Sequence, residues 1–268
     1  MMNLFLKKYK LQFSCFLVLL LSSCEKVINL NLDQTTPKIV IEGIFTNLNV
    51  SHLVSISYTK NFEADNKKVP VYGALVLLKE ENGPTISFTE QGKSGNYYST
   101  KFKGVAGKKY TMTITVNGKT YTAISKMPFP VPLKSLNQTE LTFFGESKKL
   151  VQANYNDPIG IENFYYNKLY VNDVKRGSLY IESDRFNDGK EVKNTIFISD
   201  PDLKTGDKVK VQLLTIDENV YKYLFSISQI SGNGGPPTTP ANPTSNFTNG
   251  ALGYFSASTI STDSLTIK

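Results

Sequence analysis

The sequence predicts a mainly β protein made of two β-sandwich domains, the second of which carries one α-helix. Three observations support this fold class. Polar and apolar residues alternate along most of the chain. Thr, Val, Ile, Tyr and Phe are abundant while Ala is scarce, as is typical of strands. Turn-forming dipeptides recur about every ten residues, which is the spacing of short strands in a sandwich.

The first strands are predicted from this alternation over Ile39–Phe45, Leu53–Tyr58, Val69–Leu78 and Thr85–Thr89. Within Leu53–Tyr58 the pattern is clearest, because every second residue is apolar and serines stand between them. Asn82-Gly83 supplies the turn between the last two strands.

A β-hairpin is predicted over Tyr110–Ala123. Asn117-Gly118 provides the two residues with positive φ that a type I′ turn requires, and a two-residue loop fixes the register. The opposed pairs are then Val116 with Lys119, Ile114 with Tyr121, and Met112 with Ala123. One face of this hairpin is apolar and is expected to lie in a core, through Met112, Ile114, Tyr121 and Ala123.

The run Met127-Pro-Phe-Pro-Val-Pro132 interrupts the alternation. Prolines at alternate positions remove ladder donors, so the run favours an extended connector over a central strand. We therefore divide the mature chain into an N-terminal β-sandwich over residues 37–130 and a C-terminal β-domain over residues 131–268. Strands in the second domain are predicted over Lys149–Tyr155, Phe164–Val171, Ser178–Glu182, Thr195–Ile198, Val209–Ile216 and Ala251–Ser258.

One segment of the second domain has helical periodicity. A helix is predicted near residues 218–231, with Asp217 as its N-cap and Gly232 as its stop. Its apolar side chains recur at helical spacing, at Val220, Tyr223, Leu224, Ile227 and Ile230.

A Pro/Gly-rich loop over residues 232–250 follows the helix. Loops of this length inside a compact domain are usually functional or mobile. Its prolines remove backbone donors, so it is not an ordinary strand. We expect it to contact a protein partner, through Pro236, Pro237, Pro240, Pro243 and Phe247. The alternative is that it caps the core of the second domain, with Phe247, Tyr254 and Phe255 turned inward.

The first 24 residues predict a lipoprotein export signal. Three lysines form a basic n-region, and Leu11–Leu21 is an apolar run too short to cross a bilayer comfortably. Leu21-Ser-Ser-Cys24 then places small residues before the cut and a thiol that takes the diacylglycerol. The alternative is an ordinary signal peptide with a chance cysteine. We expect residues 1–23 to be removed, Cys24 to be lipidated and residues 24–36 to form a tether.

Composition excludes several classes of function. Removing residues 1–23 takes away three lysines and no acid, so the formal charge falls from +7 to +4, a mild excess that argues against nucleic-acid binding. Cys15 leaves with the signal and Cys24 is consumed, so no disulfide, Cys-based catalysis or His/Cys metal centre is expected, and no cofactor is predicted. His52 is the one histidine, and we expect it at the surface, at the start of a strand.

Acidic residues offer two candidate sites. Asp184, Asn187, Asp188 and Gly189 resemble the start of a calcium loop, but Phe186 stands at the third ligand position and Thr195 at the twelfth. A hairpin turn is therefore favoured, and no metal site is predicted. A carboxylate pair of the glycosidase type is conceivable from Asp157 with Glu162, or from Asp200 with Asp202.

Several motifs together resemble a known family. They are Cys24-Glu-Lys-Val-Ile-Asn-Leu-Asn-Leu32, Pro37-Lys-Ile-Val-Ile-Glu-Gly43, Pro70-Val-Tyr-Gly-Ala74, Asp157-Pro-Ile-Gly160, Pro240-Ala-Asn-Pro-Thr-Ser-Asn246 and Gly250-Ala-Leu-Gly-Tyr-Phe255. The chain resembles the Bacteroidetes lipoproteins catalogued as domain of unknown function 4249, over nearly the whole mature length. Residues 70–123 also resemble the carboxypeptidase-regulatory, immunoglobulin-like type of β-sandwich, through Gly73-Ala74, Gly95-Asn-Tyr97 and the hairpin.

The resemblance implies no catalytic residues. Genes of the family are often found beside TonB-dependent outer-membrane receptors, which implies an accessory or binding lipoprotein. Asp263-Ser264-Leu265 also matches the short acceptor of periplasmic O-glycosylation in Bacteroidetes-type bacteria, with Ser264 as the acceptor.

Three functions follow as hypotheses. The first is a non-enzymatic lipoprotein, held in the outer membrane by acylated Cys24, that binds a TonB-dependent transporter or the ligand it imports. The second is a structural subunit of another outer-membrane or cell-surface assembly, and the third is a carboxylate-dependent hydrolase. The outer membrane is the expected location because Glu25 is not the aspartate that often retains lipoproteins in the inner membrane.

Overall fold

The computed structural model describes residues 36–60, 68–143, 145–198, 201–230 and 243–268. The predicted signal, Cys24 and nearly all of the tether lie outside the described residues, as do Pro236, Pro237 and Pro240. From Pro37 to Lys268 the chain forms one compact unit. Strands dominate it, so the prediction of a mainly β fold is confirmed.

The strands of the described residues are β1 (Ile39–Thr46), β2 (Leu53–Tyr58), β3 (Val69–Pro70), β4 (Leu75–Glu80), β5 (Thr85–Glu90), β6 (Asn96–Ser99), β7 (Lys109–Val116), β8 (Lys119–Lys126), β9 (Leu133–Phe143), β10 (Glu146–Asn156), β11 (Phe164–Val171), β12 (Val174–Lys175), β13 (Tyr180–Ser183), β14 (Glu191–Ile196), β15 (Lys208–Ile216) and β16 (Leu252–Thr266). One helix, α1 (Glu218–Ile230), accompanies them in the same part of the chain.

The strands form two sheets. The larger has the order β12-β11-β15-β16-β1-β2-β6-β5-β4-β7-β8, with β13 paired to β11 and β3 to β2. The smaller has the order β14-β10-β9. The long strand β16 joins the two halves of the chain, because residues 252–258 pair in parallel with β1 and residues 259–266 pair antiparallel with β15.

The predicted hairpin is confirmed in its turn and in its register. Asn117 and Gly118 have φ of 51° and 71°, and Met112 lies opposite Ala123. The apolar face of the hairpin is buried in the first core cluster together with side chains of β1, β2, β4 and β16. The predicted strand Val69–Leu78 is instead divided into β3 and β4, because Gly73, with φ of 67°, turns the chain between them.

Strands β11 and β15 are covered on both faces. In β15, Val209 and Val211 pack against residues of the small sheet, whereas Leu214 and Ile216 pack against α1. The same alternation in β11 gives one face to the small sheet and the other to α1. This arrangement explains why these two strands have apolar residues at successive positions.

The predicted helix is confirmed, and its start is tied to both halves of the chain. The Val220 N–H donates to Asp217 Oδ1 at 3.0 Å, as expected of an N-cap. The other carboxylate oxygen of Asp217 accepts a hydrogen bond from the Ser125 hydroxyl of β8. That hydroxyl in turn accepts the N–H of Ala257 in β16 at 2.8 Å. The Ser125 side chain therefore links the start of α1, β8 and β16.

The division into two sandwich domains at Met127–Pro132 is not confirmed. The hydrophobic clusters do lie mainly on either side of this run. However, β16 pairs with strands of both halves, so the large sheet is continuous across the predicted boundary.

Candidate functional site

A groove of about 670 Å³ lies on the outward face of the large sheet. In β1 and β2, the residues that alternate with the buried positions Ile41, Val54 and Ile56 point out of the core. These outward residues form part of the wall, together with Tyr254 of β16. Strand β11 and the short strand β12 add Lys168 and Lys175 to the opposite side of the lining.

Among the described residues, the lining of the groove has an excess of positive charge. The one carboxylate in that part of the lining, Glu42, forms an ion pair with Lys68, with Nζ at 2.8 Å, so the two charges balance. The ammonium groups of Lys168 and Lys175 have no hydrogen bond or ion pair with any residue of the described ranges. The Lys168 ammonium lies 5.7 Å from the centre of the Tyr166 ring. Two ammonium groups therefore enter the groove without a carboxylate partner.

Burial acts directly on Lys168. Desolvation, and to a smaller extent the charge of neighbouring Lys175, lower the pKa of its amine to about 8. At neutral pH the side chain is still mostly protonated, but its charge is poorly solvated. A negatively charged group placed in the groove relieves this cost.

A second cluster consists of Asp157, Asp184 and Asp188, which each place one carboxylate oxygen within 4.8 Å of the others. Asp157 and Asp184 are buried and Asp188 is exposed. Oxygen ligands of this kind suit Ca²⁺. Main-chain donors already occupy them, however: Gly189 N–H bonds to Asp157, Asn163 N–H to Asp184 and Gly160 N–H to Asp188.

These bonds join the loop after β10 to the loop between β13 and β14. The Tyr165 hydroxyl donates to the remaining oxygen of Asp157. Burial raises the pKa of Asp184, and the negative charges of Asp157 and Asp188 raise it as well. The three carboxylates therefore hold two loops together, although their negative charges repel each other. We call this cluster the acidic lock.

The electrostatic strain in this lock predicts that Asp184→Asn raises the free energy of unfolding at pH 7 by about 1 kcal/mol. The amide keeps an oxygen for the Asn163 N–H and removes one negative charge. The raised pKa means that the protonated carboxyl contributes stability that is complete below its ordinary pKa of 3.8 and is lost as the pH rises through the folded pKa. Urea unfolding with a chelator present, followed against pH, measures the difference.

The control for this prediction is Asp202→Asn, which removes an exposed carboxylate paired with Lys148. Its effect is expected to stay within about 0.5 kcal/mol. An Asp184→Asn variant that is less stable than the parent at pH 7 contradicts the prediction.

The model of the family described as Domain of unknown function (DUF4249) matches residues 25–264. The chain belongs to this family. A comparison with curated proteins found no match. In the part of the DUF4249 chain that the structure describes, no helix combines the length and the apolar character needed to cross a bilayer.

Two sequence motifs of this DUF4249 protein have structural roles. Asp157 and Gly160 of the Asp-Pro-Ile-Gly motif both bond into the acidic lock. Asn246 bonds to Phe255 in both directions: its amide donates to the Phe255 carbonyl at 2.7 Å, and its Oδ1 accepts the Phe255 N–H at 2.9 Å. The C-terminal motifs therefore hold each other at the start of β16.

The residues predicted to contact a partner differ in their exposure. Phe247 is buried in the first core cluster and forms a bridge with Ala123 of β8, so it caps the core instead of facing a partner. Phe255 is fully buried, and Pro243 is partly exposed. The other three prolines lie outside the described residues. Ser264, the predicted glycosylation acceptor, is exposed in β16.

The prediction that His52 of the DUF4249 chain lies at the surface is wrong. It is 4% exposed, with Nε2 at 2.9 Å from the Phe102 carbonyl and its ring edge-on to Phe45 at 4.6 Å. Burial lowers its pKa. The neighbouring Ser51 favoured an exposed position, but a histidine ring can be buried when a main-chain carbonyl, here that of Phe102, bonds to its nitrogen.

Asp157 does not share its cluster with Glu162, and the alternative pair of Asp200 with Asp202 lies partly outside the described residues. Asp157 meets Asp184 and Asp188, while Glu162 is exposed. Asp200 lies outside the described residues. Sequence reasoning also missed Lys168 and Lys175, because only the strand pairing brings them beside β1 and β2. The available signal was a lysine on the same face of β11 as Tyr166 and Tyr170.

Proposed function

We propose that this protein is a non-enzymatic lipoprotein of the outer membrane, anchored through acylated Cys24 and acting as an accessory, ligand-binding partner of a TonB-dependent transporter. The observation that carries the binding role is the groove, whose volume is that of a small-molecule site. The export signal predicted from the sequence supports the anchor, and the gene neighbourhood that the family resemblance implies supports the partner.

Two contacts favour binding over catalysis. The ring of His52, the chain's one histidine, is buried beside the Phe102 carbonyl and does not line the groove, so it is poorly placed as a general base. The carboxylates of the acidic lock accept main-chain N–H bonds that tie two loops together, which gives them a structural role.

The partner is tested by affinity purification of the tagged, full-length lipoprotein from detergent-solubilised outer membranes. We expect a TonB-dependent transporter to be recovered in roughly equal amount. Recovery of an assembly that lacks a transporter contradicts the proposal and favours the structural subunit. The same experiment on the processed Cys24→Ala chain, added to solubilised membranes, separates protein contact from co-anchoring.

The Pro-rich loop is the proposed contact with the partner. Deleting residues 234–240 is expected to abolish recovery of the transporter while leaving the melting temperature unchanged. The reason is that prolines restrict the unbound loop and so lower the cost of ordering it on docking. Full recovery by the deletion variant, at an unchanged melting temperature, removes the loop from the interface.

A further inference from the structure

We infer that the groove between β1, β2 and β12 binds a small, hydroxyl-bearing anion with two negative charges, of the sugar-acid or sugar-phosphate class. This inference deepens the proposed function, on which it rests for the role of the groove as the ligand site. It is carried by the charge, the polar lining and the size of the groove.

The charge comes from the arrangement of four ionisable side chains. Glu42 and Lys68 satisfy each other at 2.8 Å and leave no net charge. Lys168 and Lys175 then supply two positive charges to the same groove without a carboxylate partner in the described residues. A ligand with two negative charges matches them, whereas a cation meets only repulsion.

The position of Lys168 makes this charge effective. Its side chain is half-buried between β11 and the groove, so an ion pair there is less screened than one at the open surface. The lowered pKa of its amine, about 8, reports the same poor solvation. Lys175 stands beside it at the exposed end, where it widens the cationic site.

The rest of the lining selects for hydroxyl groups. Ser55 and Ser57 of β2, with Asn96 of β6 and Ser94 just before it, place polar side chains along one wall. Tyr254 and Ile44 contribute apolar surface, which suits the carbon face of a sugar ring. An anion without hydroxyl groups or an apolar face would contact the lysines but would leave the polar wall and the apolar surface unused.

The volume of the groove limits the size of the ligand. A volume of about 670 Å³ falls within the range of small-molecule sites and holds a mono- or disaccharide. It is a concave site with walls from separate strands, unlike the extended edge that a peptide strand requires.

The test is calorimetric titration of the chain of residues 25–268 with glucose 6-phosphate, with inorganic phosphate and with uncharged glucose. We expect glucose 6-phosphate and phosphate to bind at one site and glucose alone to bind too weakly to measure. Lys168→Gln and Lys175→Gln are each expected to weaken the anion about tenfold, the value of one charge-assisted hydrogen bond. The control Lys119→Gln removes the same charge at the exposed tip of the hairpin and is expected to leave affinity unchanged.

A second measurement needs no variant. Acetic anhydride at about pH 8 acetylates unprotonated amines, and the low pKa of Lys168 makes it reactive there. Either anion should slow acetylation of Lys168 while Lys119 is unaffected.

Failure of both anions to bind, equal weakening by all three variants, or undiminished acetylation of Lys168 overturns the inference. These results are independent of the transporter's recovery. Transporter capture without anion binding overturns the ligand class alone, and anion binding without transporter capture overturns the partner alone.

Discussion

Adding one methyl group at Gly253 is expected to lower the free energy of unfolding by about 4 kcal/mol. Gly253 lies in β16 where this strand runs parallel to β1, and its φ is 93°. A Cβ there would stand 2.0 Å from the Ile41 carbonyl oxygen, which belongs to the neighbouring backbone and has no freedom to move aside. Gly253→Ala therefore combines backbone strain with a clash in the centre of the large sheet.

The control for this prediction is Gly206→Ala. Gly206 has the same φ of 93°, but nothing lies within 4 Å of its Cβ position. This variant is expected to lose only about 1 kcal/mol, the cost of the backbone conformation alone. Urea unfolding followed by tyrosine fluorescence and circular dichroism measures both. Equal losses in the two variants would show that β16 and β1 can separate without cost.

Replacing Cys24 with alanine is expected to release the protein from the membrane or to stall it as an uncleaved precursor. A diacylglycerol with an amide-linked chain exceeds the two-signal threshold for stable anchoring, and no other anchor is proposed. Fractionation of cells into membrane pellet and soluble fraction, with the mass of the mature protein, measures the effect.

Cys15→Ala is the matched control, because Cys15 is the chain's other cysteine and lies inside the apolar run of the signal. It is expected to leave lipidation and membrane retention intact. A processed Cys24→Ala chain that stays in the membrane pellet would show that another part of the molecule holds it there.

Local patterns predicted local structure well. The Asn117-Gly118 turn determined the hairpin register, because a type I′ loop permits only one pairing of its strands. Helical spacing after Asp217 located α1 to within one residue at its end. In both cases the interactions that decide the structure connect residues close together in the sequence.

Strand β9 shows where such patterns fail. Leu136 is the only buried residue among the described side chains of Leu133–Phe143, so polar–apolar alternation is weak there, and the preceding prolines argued for a connector. The strand forms because its backbone pairs with β10 along nearly its whole length. Backbone pairing of this kind leaves little trace in side-chain polarity.

The candidate sites were harder to predict for a related reason. The acidic lock joins Asp157 to Asp184 and Asp188, and the groove brings Lys168 beside Glu42. These neighbours come from strands and loops that meet only through the order of strands in the sheets. The spacing of these residues along the chain therefore could not predict the acidic lock or the groove.

The pairing of β16 sets the order in which the large sheet can be completed. Val40 of the first strand pairs with Leu252, so the contact closes a loop that contains most of the chain. Such non-local contacts form slowly, and they cannot form before the C-terminal strand has been synthesised. Until then the edges of β1 and β15 that β16 covers stand open to pairing with other chains. We therefore expect a chain truncated before Leu252 to expose both edges and to aggregate or be degraded.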